Sequence, residues 1–165
     1  MGAGKVFAFL GGLLTLVGTY VFAFYPWGTG EVGSGISFAM NIPDLFTNAD
    51  TYAASLTTQV WLFYIYLVIF IIFLASGVLQ MLSIQSRAVG FIFSLFPLGV
   101  GVMFIMLAYT DFLGVKAAFF DSFFHGEQFG GFYPILVNLG DLALGVYLIL
   151  AGGVLGVLSV FMERD

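Results

Sequence analysis

Cysteine is absent from this chain of 165 residues, and histidine occurs once, at position 125. Without cysteine there is no disulfide framework, no thiolate metal centre and no thiol chemistry. A single histidine excludes a bis-histidine haem held by one chain. Basic residues are scarce: four Lys and Arg against nine Asp and Glu give a net charge of −5. A nucleic-acid footprint needs a basic stripe, so no nucleic-acid partner is expected. Charged residues make up 8% of the chain, where a soluble domain carries about 25%. So few charges cannot coat a water-soluble globule of this size. Disorder is excluded from the other side, because it requires low hydrophobicity.

Apolar sequence fills the gap. Hydrophobic residues account for 61% of the chain, and the mean hydropathy is +1.11. Four runs stand out, Val6 to Tyr25, Val60 to Leu79, Ala88 to Ala108 and Leu142 to Met162, each about 20 residues and free of charge. At 1.5 Å per residue such a run is roughly 30 Å long as a helix, the thickness of a hydrocarbon core. The runs do not alternate, as the strands of a membrane barrel would. The expected fold is an all-α integral membrane protein: a four-transmembrane-helix bundle forming a single domain over residues 1–165. Its spans fall near 5–25, 59–83, 88–110 and 134–162, with outer loops near 26–58 and 111–133. The first run is too long for the apolar region of a signal peptide. Val6 stands where myristoylation wants Ser or Thr, so that anchor is not expected.

Lys and Arg set the orientation. Lys5, Arg87 and Arg164 fall on one side and only Lys116 on the other, which predicts cytoplasmic N- and C-termini. Trp27, Trp61, Tyr109 and Tyr133 all fall at the opposite, outer interface, where amphipathic rings prefer to sit. The short stretch from Ser83 to Arg87 makes spans two and three an antiparallel hairpin. In the first outer loop, Ile36 to Met40 reads as a short strand. A helix start follows, with Asn41 near its cap and Pro43 in its first turn.

Small residues are spaced by sevens: Gly4, Gly11 and Gly18 in span one, and Asn138, Gly145, Gly152 and Ser159 in span four, where Gly152 and Gly156 add a G-x-x-x-G. Such stripes let helix backbones approach closely. They serve either packing inside one bundle or a seam between protomers. Pro97, midway along span three, frees the Phe93 carbonyl and predicts a kink, with Ser94 or a neighbour satisfying that group. Gln80, near the inner end of span two, is expected to bond to a neighbouring helix or a headgroup. Asp141 is the one acid that falls within a span. It sits either at the outer boundary or, with Asn138 one turn earlier, in a polar pair facing a cavity and salt-bridged to Lys116.

The second outer loop carries Phe119, Phe120, Phe123 and Phe124 at helical spacing, flanked by Phe112, Phe129, Phe132 and Tyr133. Such a cluster is buried in the headgroup region, against the first loop, or against a neighbouring subunit. The four phenylalanines, with Gly145, Gly152 and Gly156, are the candidate oligomer contacts. Asp121 and His125, at i and i+4, have a spacing compatible with a metal and Glu127 lies in the same segment, but a solvated polar face is the simpler reading, and no metal is expected. Glu31, Asp44 and Asp50 match no calcium loop. There is no HExxH, no phosphate loop and no Ser/His/Asp set, so neither enzyme chemistry nor a cofactor is expected.

Short inner ends, a long first outer loop, a shorter second one, a tight inner turn and Trp27 just after span one resemble claudin-like and other tetraspan proteins. The paired cysteines of those families are missing. The resemblance implies lateral assembly and outer-face contacts. The leading expectation is therefore a structural membrane protein whose partners are membrane lipids and other copies of itself, a homo-oligomer. The alternatives are an accessory subunit of a larger membrane complex and a small channel or transporter using Asp141.

Overall fold

The computed structural model describes residues 2–110 and 116–164. Asp111 and Phe112, two of the expected loop residues, lie outside them. The chain is mostly helical. Three helices are long and apolar enough to cross a membrane: α1 (Ala3–Tyr20), α4 (Val60–Leu82, extended by one 3₁₀ turn to Gln85) and α5 (Arg87–Tyr109). Between α1 and α4 lie β1 (Tyr25–Pro26), β2 (Glu31–Gly33), α2 (Gly35–Thr47) and α3 (Ala49–Ser55). After α5 come α6 (Lys116–Phe120), β3 (His125–Glu127), β4 (Asn138–Leu139), β5 (Leu142–Ala143) and α7 (Leu144–Val160), an apolar helix of 17 residues.

The four long helices form a ring. α1 packs on α7 and α4, and α5 packs on α7 and α4. The shorter elements gather at one end as a cap, and both chain ends and the α4–α5 turn meet at the other, the tail end.

The small-residue stripes lie in the α1–α7 seam. A Cβ on Gly11 would stand 2.8 Å from the Gly152 carbonyl oxygen, and one on Gly18 would stand 2.8 Å from that of Gly145. Any side chain there would push two antiparallel backbones apart. Close backbone contact is how helices associate where surrounding lipid removes the hydrophobic drive.

A three-stranded antiparallel sheet in the order β1-β2-β3 ties the two loops of the cap together, pairing Tyr25 with Gly33 and Val32 with Gly126. The segment 34–47 is not strand followed by helix. Ser34 caps it by accepting the Ser37 amide at 3.1 Å, so α2 starts at Gly35 and Pro43 lies inside it. Asn41 is no cap either. Its side-chain amide donates to the carbonyls of Phe123 (3.2 Å) and His125 (2.7 Å), clamping the second loop to α2. The fourth helix is shorter than the expected 134–162. A turn through Gly140, with φ of +89°, folds residues 138–143 into the β4–β5 hairpin before α7 begins.

Candidate functional site

Phe119 and Phe120 end α6, and Phe123 and Phe124 follow in a turn, so the four do not share one helical face. All four are buried within the chain. Phe124 packs on Phe24, Phe38, Phe70 and Phe104 at centroid distances of 5.0–5.7 Å. Phe123 packs on Phe63 and Phe70 at 5.1 and 5.0 Å. Phe120 stacks on Tyr25 at 4.2 Å, and the Tyr25 hydroxyl donates to the Phe120 carbonyl at 2.6 Å. Burial, with the Asp121 charge adding to it, holds the Tyr25 phenol well above its ordinary range. These rings join the cap to the bundle within the chain. The expectation that they make oligomer contacts is corrected for Phe120, Phe123 and Phe124, which Phe24, Tyr25, Phe63 and Phe70 of the same chain already cover, while Phe119 is buried at the edge of a groove described below.

The same correction applies to the glycines. Gly145 faces Ala23 and Gly18, Gly152 faces Gly11 and Thr15, and Gly156 faces Ser94 and Gln80, all inside the ring. Gln80 is 1% exposed, and it bonds to helices, not headgroups. Its amide nitrogen donates to Ser94 Oγ (3.0 Å) on α5 and to the Gly152 carbonyl (3.2 Å) on α7. Its Oε1 is buried without a hydrogen-bond partner. Ser94 donates to the Gly90 carbonyl at 2.5 Å, so its hydroxyl does not serve the carbonyl that Pro97 frees. Pro97 itself is buried, and α5 continues through it.

The tail end is closed by the last residues. Arg164 donates to the Ser83 carbonyl (2.8 Å) and to Ser159 Oγ (3.0 Å), while the Gly4 amide donates to the Glu163 carbonyl at 2.6 Å. Burial, then the nearby Arg87 charge, lowers the Arg164 guanidinium from its usual range.

Asn138 and Asp141 are both exposed on the β4–β5 hairpin, outside any helix. The Asp141 amide meets the Tyr109 hydroxyl at 3.3 Å. Lys116 turns its ammonium to the Ala108 carbonyl at 3.2 Å. The cavity-facing polar pair is thus corrected: the hairpin turn carries both residues outward. Among the described residues no group of three or more His, Cys, Asp or Glu is placed to hold a metal ion. His125 lies in β3 with Nδ1 buried and unpartnered, and Asp121 and Glu127 are exposed.

One concave feature has no counterpart in the sequence reading. Between α4 and α5, on the outer wall of the ring, two cavities of about 560 Å³ each adjoin at Tyr66, Gly99 and Met103, the two halves of a groove. Its deeper half is lined by Ile69, Ile92, Leu95 and Phe96. Its cap-end half adds Thr57, Thr58 and Met106. Thr57 has a φ of 52°, a left-handed backbone that a β-branched residue rarely adopts, and its hydroxyl donates to the Leu56 carbonyl at 2.7 Å. Glycine at position 99 was the available signal: it is a helix-weakening residue in a long apolar helix.

No protein-family model, curated protein or solved structure matches the chain.

Proposed function

We propose that the chain is a non-enzymatic, structural integral membrane protein with four spans, which associates laterally with copies of itself. The observation carrying this reading is the sorting of side chains. Phe9, Val68, Ile92 and Leu158 face outward from α1, α4, α5 and α7 and are each 42–51% exposed, while Gln80, Ser94, Thr15 and Ser159 are buried inside. That is the arrangement a hydrocarbon solvent demands. α7, at roughly 26 Å, meets the lower limit for a span. Lys5, Arg87 and Arg164 at the tail end favour a cytoplasmic position for both termini.

With the phenylalanines of 119–124 occupied internally, the association surface moves to the cap's flank. Phe129, Ile135, Val137 and Leu139 are each 38–46% exposed there, and Phe132 is 70% exposed. This strip runs beside the end of α1, held by the Tyr133 hydroxyl on the Tyr20 carbonyl at 2.6 Å. An exposed apolar strip on an otherwise packed cap marks a contact surface. The lateral assembly implied by the claudin-like layout points the same way.

The test is the mass of the particle in a native nanodisc. A multimer of this chain that falls to monomer on changing Phe129 and Phe132 together to Ser is the expected result. A wild-type monomer overturns the reading. A mixed particle of fixed stoichiometry replaces it with an accessory-subunit role.

A further inference from the structure

We propose that the groove between α4 and α5 is a binding site for one membrane phospholipid, its acyl chain lying along Gly99 and its phosphate at Lys116. The inference rests on the membrane-spanning reading above but not on self-association, since the α4–α5 seam lies across the ring from the α1–α7 seam that borders the apolar strip.

Gly99 stands apart from the other glycines of the helices. The other described glycines of the helices have protein atoms crowded where a Cβ would go. On α5, a Cβ on Gly101 would lie 2.5 Å from Leu150 Cγ, and one on Gly90 would lie 2.9 Å from Ser83 Oγ. Around a Cβ on Gly99 there is nothing within 4 Å. No packing inside the chain requires this glycine, although it weakens the helix. Glycine also lets a ligand approach a backbone closely, and Gly99 lines both halves of the groove.

The groove is long, and its polarity changes along its length. Ile92 and Met106 mark its two ends on α5, about four turns apart, or roughly 21 Å. A hydrocarbon core is about 30 Å thick, so the groove reaches from one interface to past the bilayer midplane. The deep half is apolar and the cap-end half carries the Thr57 and Thr58 hydroxyls. This is the gradient of an amphiphile standing head-up. Each half, at about 560 Å³, has the size of a small-molecule pocket, for which about 300–1,000 Å³ is usual.

Positive charge is concentrated at one residue of the cap. Lys116 is the one cationic side chain at the cap end. Its ammonium sits at the Ala108 carbonyl, next in sequence to Leu107, and Phe119 stands one turn along α6 from it. Leu107 and Phe119 both line the mouth. Lys116 is exposed, so its remaining donors are free to meet a phosphate.

The test uses the purified chain in neutral detergent. It is titrated separately with phosphatidylglycerol and phosphatidylcholine of identical acyl chains, and retained lipid is counted by native mass spectrometry. The wild type is expected to hold one phosphatidylglycerol per chain, at least tenfold more tightly than phosphatidylcholine. Lys116→Gln should erase that preference and keep chain-dependent binding. Gly99→Phe, whose Cβ meets no protein atom within 4 Å and whose ring would occupy the groove, should weaken both lipids at least tenfold while thermal unfolding stays at the wild-type temperature. Gly99→Leu serves the same purpose should the larger ring impair folding. Undiminished lipid binding by a folded Gly99 variant overturns the site. So does a Gly99 variant that lowers the oligomeric mass and leaves lipid counts unchanged, since the groove then seats a second copy. Release of the chain from membranes by alkaline carbonate, without detergent, overturns the membrane reading itself and is seen before any lipid is added.

Discussion

Gln80 and Gly152 meet at 3.2 Å, the side-chain amide of one donating to the main-chain carbonyl of the other across the middle of the ring. The same amide reaches Ser94, so one side chain joins α4, α5 and α7. Replacing Gln80 with Leu keeps the volume and removes both bonds together with the unpartnered Oε1. Interhelical hydrogen bonds in membranes average about 0.6 kcal/mol and reach about 1.7 kcal/mol, so the expected loss is within that range. Reversible unfolding in mixed micelles measures it. A loss above about 3 kcal/mol would mean that Gln80 holds more than these bonds.

Gly152→Ala should cost more than Gly99→Ala. The added methyl at 152 meets the Gly11 carbonyl oxygen at 2.6 Å and the Thr15 amide nitrogen at 2.8 Å, which are backbone atoms that cannot step aside. Overpacking of this kind costs about 1–3 kcal/mol. The methyl at 99 meets nothing within 4 Å. Side-by-side unfolding of the two variants checks the ordering, and equal destabilisation would contradict the α1–α7 seam described above.

Tyr25→Phe leaves the ring on Phe120 and removes the hydroxyl that satisfies the Phe120 carbonyl. A buried acceptor left without a donor costs about 1–3 kcal/mol. The loss should appear in the cap first, as faster amide exchange over α6 and β3 than over α4. Uniform exchange across cap and bundle would show that the two do not loosen separately.

Tyr52 offers a pH readout. Its hydroxyl donates to the Asp44 carboxylate, and partial burial, that hydrogen bond and the charges of Asp44 and Asp121 push its pKa up from 10.0 to about 12. The folded chain therefore holds this proton more tightly than the unfolded one. Stability from the group is complete below about pH 10 and is lost as the pH rises towards about 12. The tyrosinate absorbance difference between wild type and Tyr52→Phe should titrate near the upper value. A difference titrating at the ordinary value would mean that the Asp44 bond is not formed.

Arg164→Ala should free the tail end. Gly4 donates to the Glu163 carbonyl, and Arg164 is what fastens that segment to Ser83 and Ser159. Amide exchange at Gly4 is expected to rise while exchange in α5 stays constant. An unchanged Gly4 would assign the closure to the Arg87 bond on the Met162 carbonyl instead.

The long helices were legible because hydropathy is a local signal. The expected spans at 59–83 and 88–110 differ from Val60–Leu82 and Arg87–Tyr109 by a residue. Span four was overdrawn because apolar residues continue through 134–143, where Gly140 and the hairpin bend the chain out of helix. Ser34 was a readable helix cap, but Ile36 to Met40 carry an alternation that mimics a strand. The destination of Phe123 and Phe124 was not readable, since their partners Phe24, Phe38, Phe63 and Phe70 lie far away in sequence. The groove was not readable either: it depends on how far apart α4 and α5 stand, which no single helix encodes.

The pairing of Val32 with Gly126 sets an order of events for the nascent chain. β2 emerges between the first and second long helices, and its sheet partner β3 emerges only after α5 has been made. Until then one edge of the β1–β2 hairpin is an open template for a foreign strand. A bilayer-threaded chain would carry that open edge on the far side of the membrane through the insertion of α4 and α5. Completion of the sheet thus requires that the segments before α4 and after α5 reach the same side.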